Sequence, residues 1–363
     1  MIRLANMNKT TRSSLFTYAL VIVAFLIIQV LRGTVGIGSV LEGQLIPICA
    51  YVTMALALNL VVGVSGELSL GHAGFMSIGA FMGCSAASAL AGVIPFAPLR
   101  LAVAMLVGAA LAGFFGFLIG IPVLRLNGDY LAIVTLAFGE IIKSLLTNVY
   151  LGVDKDGFQF SFLSDKNTLG EGGIQLIKGP MGVMNTARIS SFIAGFILVM
   201  ITLIIIFNLV NSRTGRAIMA ARDNRIAAES NGVNVTYYKL MVFVLAAFFA
   251  GMAGVLYGHT LANIKPAMFD YNMSIEILVI VVLGGMGSIR GSIIATIILR
   301  ALPEVLRQVA DYRMLAYSVL LIVIMLLNSS PQFAEWKGRW SLKALLSLGK
   351  TRKEKTKKEA AKK

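Results

Sequence analysis

The residues able to do chemistry are few and clustered. Glu67, Ser69 and His72 fall within SGELSLGHAG, in a stretch from Val61 to Phe81 that also holds Gly63, Gly66, Gly71, Gly74 and Gly79. A carboxylate, a hydroxyl and an imidazole so spaced could bind a polar solute or hold a proton. The plainer reading is a hydrogen-bonding strut, because a charge at membrane depth costs about 2.5–3.5 kcal/mol on insertion scales and demands a partner. GDYLAIVTLAFGEIIKSLL places Glu140 and Lys143 at i,i+3 on one helix face, where they can neutralise each other as an intramembrane ion pair. LGGMGSIRGS, from Leu283 to Ser292, supplies Gly284, Gly285 and Ser288. Only two histidines occur, both cysteines (Cys49 and Cys84) lie in apolar runs, and neither HExxH nor GxSxG is present. The pattern points away from catalysis and from a metal site, and no cofactor is expected. Gly349-Lys350-Thr351 mimics the end of a phosphate-binding loop, but Ala344 stands where its first glycine belongs.

The elements that must position these groups are membrane helices. The chain has 363 residues, 57% hydrophobic and 13% charged, with mean hydropathy +0.83. A soluble globular chain is about a quarter charged. Its apolar blocks are near the roughly 20 residues a spanning helix needs, so an all-α polytopic membrane protein is expected, not a β-barrel. Ten segments can be drawn, at 15–31, 44–62, 74–90, 98–121, 129–149, 189–210, 239–259, 274–285, 291–306 and 313–328. The first reads as a retained span and not a cleaved signal. Most of the net charge of +15 sits in residues 1–14 (+3), 211–239 (+3) and the tail from Ser329 (+8), the signature of topology and not of a nucleic-acid footprint. With cytoplasmic termini, the 211–239 loop and the 329–363 tail fall inside and the charge-balanced 150–188 loop outside. The membrane body is expected to span 1–328. The basic tail reads as disordered chain near anionic lipid.

Two stretches interrupt clean spans. One is the glycine-rich 61–81 region. The other is 283–292, preceded by an apolar run from Ile275 to Gly285 of only about 16 Å as a helix. Irregular backbone at membrane depth survives where protein or a water-filled cavity covers it, so both read either as transport-path elements or as close helix packing.

Between the sixth and seventh segments lies NSRTGRAIMAARDNRIAAESNGVNVTYYK, with Arg213, Arg216, Arg222, Arg225 and Lys239 against Asp223 and Glu229. Thr214 can cap a short helix, Asp223-Asn224 invites a second start, Asn231-Gly232 makes a left-handed end, and Thr236 can cap the next span. A helix of about two turns lying across the spans is expected. By itself the loop reads either as a solvated inside loop or as a surface on which a partner pushes.

SGELSLGHAGFMSIGAF, GDYLAIVTLAFGEIIK, TGRAIMAARDNRIAAESNGVNVTYYKLMVFVLAAFFAGMAGVLYG and ILVIVVLGGMGSIRG, in that order between Leu45 and Asn328, resemble the permease subunits of ABC importers for branched-chain amino acids. The likeness is to the longer, M-type Liv permeases. It implies a fold like that of the vitamin-importer permeases, a second permease subunit, two cytoplasmic ATPase subunits and an extracytoplasmic solute-binding protein, all at the cell inner membrane. It makes Arg222, Asp223, Arg225, Ala228, Glu229 and Gly232 the ATPase-coupling residues. Glu67, Ser69, His72, Gly284, Gly285 and Ser288 are expected to line the translocation path. The chain departs from the family at LGVDKDGFQF, where a Thr-Gly-Gly run is usual, at Ser330-Pro331-Gln332-Phe333, and in its long Lys tail. The rival readings are a urea or amide importer of the same architecture, an ion-coupled secondary transporter acting alone, and a membrane scaffold.

Overall fold

The computed structural model describes residues 9–34, 39–126, 128–154, 157–163, 174–184 and 186–305, together with 319 and 322. The chain divides into units 1–304 and 305–363. The basic tail, and the expected span at 313–328 apart from Val319 and Ile322, lie outside the described residues.

Apolar runs in lipid must satisfy every backbone N–H and C=O internally, and helices do so. The described helices are α1 (Lys9–Thr34), α2 (Ser39–Asn59), α3 (His72–Ala89), α4 (Ala97–Val123), α5 (Asp129–Thr147), α6 (Phe192–Asn211), α7 (Arg213–Asp223), α8 (Arg225–Ser230), α9 (Val235–Gly258), α10 (Tyr271–Gly284) and α11 (Ile289–Val305). Among the described residues, eight helical stretches are long and apolar enough to cross a membrane. The expected 274–285 segment is longer than its apolar count suggested. A short 3₁₀ turn, Pro266–Met268, and the polar first turn of α10 extend it upstream. α10 itself, 14 residues, is still only about 21 Å long.

α2, α3, α4 and α9 form the centre. Of the apolar window of α2 and its continuation, 78% is buried, against 11% for α1. Met54, Leu56, Met76, Phe81, Phe243 and Phe249 fill the core. α3, α4 and α9 approach at backbone distance, since a Cβ at Gly79 or Gly251 would collide with the opposing main chain. α1, α4 and α6 turn large apolar side chains outward, including Phe16, Leu106, Phe114, Ile193 and Ile197. Such continuous apolar surface belongs against lipid or another apolar subunit, not water. Phe25 of α1 stacks on Phe196 of α6 with ring centroids 4.0 Å apart.

Within 150–188, expected as an extracytoplasmic loop, the described residues include strands. β1 (Val149–Asp154), β2 (Gly157–Phe162) and β3 (Ile174–Lys178) make an antiparallel sheet in the order β2-β1-β3. Val149 faces Phe162 in its register. Val183 bridges to Ile264, and the Thr186 hydroxyl donates to the Leu261 and Ala262 carbonyls at 2.7 and 2.8 Å. These bonds knit the segment to the loop after α9.

Two cap assignments need correction. Ser212, not Thr214, caps α7 by accepting from Gly215 N, and Asn234, not Thr236, caps α9 by accepting from Tyr237 N. In each case the true cap lies two residues upstream.

Candidate functional site

The first break begins where α2 runs into a π-helical turn, Leu60–Ser65, that ends at Gly66 with φ 76°. A helix end leaves carbonyls without intrahelical partners, and its dipole favours a cation there. Arg222, from the end of α7, supplies that cation. Its Nη1 donates to the Gly63 carbonyl at 2.9 Å, and its Nη2 donates to Asp223 Oδ1 at 2.9 Å. The arginine stem lies against Gly66, where a Cβ would meet its Cγ. The positive φ and this close approach both require glycine at 66.

Glu67 does not stand open to a solute. It forms an ion pair with Lys239 of α9, with side chains only 11% and 10% exposed. Lys239, counted with the basic loop from its sequence, is therefore a buried partner. Ser69 Oγ lies 3.4 Å from His72 Nδ1, and His72 Nε2 is buried without a partner among the described residues. The break is fastened to two further helices. Thr135 Oγ1 of α5 accepts from Leu70 N at 3.0 Å, and Ser274 Oγ of α10 accepts from Ala73 N at 3.1 Å.

The second break is the Gly285–Ser288 turn between α10 and α11. Gly284 and Gly285 are half-buried, while Ser288 is exposed. The two breaks meet, but not through the residues expected to line the path. Asn59 Oδ1 accepts from Gly287 N at 2.7 Å, and Asn59 Nδ2 donates to Ser292 Oγ at 3.0 Å. Gly63 sits so close to the Gly287 amide that any Cβ would collide. Asn59 carried a readable signal, a carboxamide within the apolar run ALALNLVV. Thr135 and Ser274 carried none, since hydroxyls are common in membrane helices.

Lys143 Nζ donates to Glu140 Oε2 at 2.9 Å, and Glu140 Oε1 also accepts from Tyr271 N at 3.1 Å, at the start of α10. The carboxylate thus ties α5 to the N-terminus of α10. A second membrane pair escaped the sequence reading. Arg300 of α11 donates to Glu276 Oε1 of α10 at 3.0 Å and stacks over Tyr51, 3.7 Å from the ring centroid. Both charges interrupt apolar segments, but they lie on different helices, so helical spacing could not pair them.

The basic loop folds as two helices. Asn224 caps α8 by accepting from Ala227 N at 3.0 Å, Arg225 pairs with Glu229 at 2.9 Å, and the end falls at Asn231-Gly232 with Gly232 at φ 79°. Ala228 faces inward and packs with Ala221 and Val235. The outward face of α8 presents Arg225, Glu229 and the apolar Ile226, 78% exposed. At the far end of α3, a cavity of about 520 Å³ is lined by Ser88, Arg100, Gln175 and Lys178 among others. Beside it His259 is buried and makes a 2.9 Å hydrogen bond through Nδ1 to the Ala187 carbonyl.

The profile of the family described as "Branched-chain amino acid transport system / permease component" matches residues 40–329. The chain is 34% identical over 330 residues to the high-affinity branched-chain amino acid transport system permease protein LivM of Escherichia coli K12, covering 88% of this chain and 74% of the relative. The protein of the same name from Salmonella typhimurium is 34% identical over 341 residues, with the same coverage. The ribose import permease protein RbsC of Escherichia coli K12 is 26% identical over 291 residues, 77% of this chain and 82% of that one. No solved structure matches. The chain, a body of apolar helices broken at two glycine-rich turns and matched over most of its length, belongs to the family of branched-chain amino acid transport system permease components.

Proposed function

We propose that the chain is a permease subunit of an ATP-driven importer for branched-chain amino acids, and that it forms part of the translocation path. In this reading it works with a second permease subunit, two cytoplasmic ATPases and an extracytoplasmic binding protein, in the inner membrane with both termini cytoplasmic. It carries no ATPase site of its own. The 34% identity over 88% of the chain supports the solute class, above the urea or amide alternative and above an ion-coupled carrier. The observation that carries the reading is the build of the 211–239 loop. A loop present only for its charge needs no fold, yet this one is two capped helices that hold Ile226 outward and reach with Arg222 to the Gly63 carbonyl of the first break.

ATP can bias the permease between states only through contacts that differ in each. The outer face of α8 is the place for ATPase contacts, and α6, α7 and α9 carry its displacement into the bundle. The path runs by the breaks, with Ser69, His72, Gly284, Gly285 and Ser288 at or behind its wall and Glu67 held by Lys239. The end that carries β1, β2 and β3 is the face for the binding protein. Residues 1–328 are the permease body. The 329–363 tail lies against anionic lipid, where each basic residue contributes about 1 kcal/mol.

Because Arg222 also holds the Gly63 carbonyl, the direct test is Arg225→Glu with Ile226→Asp in the assembled transporter. ATPase association and uptake should both fall while the permease still folds. Undiminished association in that variant would remove α8 from the interface.

A further inference from the structure

Two basic residues, one on each side of α8, hold the same short stretch of the first break. Arg222, at the end of α7, donates to the Gly63 carbonyl and packs its stem on Gly66. Lys239, early in α9, pairs with Glu67. The opposite side of that stretch faces the second break, where Gly63 abuts Gly287 and Asn59 grips both Gly287 N and Ser292 Oγ.

We propose that Arg222, Lys239 and Asn59 are positioning residues for transport, and that the π-helical turn Leu60–Ser65 transmits motion of the α7–α8 hairpin to the Gly285–Ser292 turn. This rests on the reading of α8 as the ATPase contact. The π turn suits the task, since one surplus residue in a helix can shift between i→i+5 and i→i+4 bonding without unfolding the rest. Such a shift swings the Gly63 carbonyl about the helix axis. Asn59 lies one turn upstream and its carboxamide holds the Gly287 amide, so the second break must follow or lose one buried and one part-buried hydrogen bond. The absence of a Cβ at Gly63 and Gly287 leaves two backbones in contact, with no flexible side chain between them to absorb the displacement. Coupling needs an element with two arrangements that both sites bias. Here that element is the π turn, biased by Arg222 and Lys239 from one side and by Asn59 from the other.

The test uses the complete transporter in liposomes and Asn59→Ala, a buried position that no ATPase can touch. ATPase assembly and ATP hydrolysis should stay close to wild type, while uptake per ATP falls on the order of tenfold, a usual size for coupling between sites. Unchanged uptake per ATP in an assembled N59A complex overturns the proposal. A variant that fails to fold is replaced by amide exchange on the wild-type complex with and without a non-hydrolysable ATP analogue. Exchange at 60–66 and 285–292 should then change together with that at 213–230, and a change confined to 213–230 also overturns it. Failure of the α8 reading itself is separate, since it would show as normal ATPase association in the Arg225→Glu, Ile226→Asp variant.

Discussion

The residue with the largest change of meaning is Lys239. In the sequence it closes a basic loop and counts as one more inside charge, but in the fold it is buried against Glu67. Composition counts charges without telling which way a long side chain turns, so Arg222 and Lys239 were legible as cations and illegible as struts. The Glu140–Lys143 contact, by contrast, could be drawn from i,i+3 spacing alone. Removing one member of a buried ion pair leaves the other uncompensated, at a cost of about 3–5 kcal/mol. Glu67→Gln should therefore lower the thermal midpoint of the detergent-solubilised protein sharply, and Glu67→Gln with Lys239→Met should recover most of it. Equal midpoints for the two variants would deny the pair its structural role. His259, just beyond α9, gives a pH signature. Burial holds its imidazole below the ordinary value, and nearby Arg100 pushes the same way against the Ala187 hydrogen bond. Its neutral form belongs to the fold, so the stability tied to it is whole above about pH 6.5. Below that, the unfolded chain takes a proton that the folded one resists, and stability falls. His259→Gln should flatten that acid-side decline in a series of melting curves.

At the scale of elements, the two breaks were legible because glycine clusters and a short apolar run are direct statements about helices. Their junction was not, because it depends on Asn59 and Gly63 meeting a turn more than two hundred residues away. The sheet was partly readable. GFQFSF alternates as a strand should, but VYLGVD of β1, which pairs with it, and IQLIK of β3, on the other side of β1, lack so regular a pattern. The cap errors at Thr214 and Thr236 arose because Ser212 and Asn234, equally good caps, precede them by two positions. Asn224→Ala should cost α8 about 1 kcal/mol and expose the bond after Arg225 to faster tryptic cleavage, whereas Asn224→Asp should stay near wild type. The crossing of α3, α4 and α9 makes a stronger demand. Gly251→Val must push main chain apart and should destabilise by about 1–3 kcal/mol or more, while Gly92→Ala, with open space around it, should be neutral. Thermal stability of the two variants in one detergent checks this.

For the whole molecule, hydropathy and the charge distribution were enough to read a polytopic helical membrane protein, since lipid admits so few spanning structures. Membership of the branched-chain amino acid permease family follows from motif order and is carried by the match over residues 40–329. Sequence composition has no term for the solute or the partners, because those are recognised by surfaces assembled from distant segments. The central claim is ATP-driven import of a branched-chain amino acid, and one measurement addresses it directly. The chain is reconstituted into liposomes with its second permease, ATPases and binding protein, and labelled L-leucine uptake is followed with and without ATP. The account predicts uptake that needs ATP, the binding protein and every subunit, and that is blocked by excess L-isoleucine or L-valine but not by urea. Uptake by this chain alone, driven by a Na⁺ or H⁺ gradient without ATP, would contradict it.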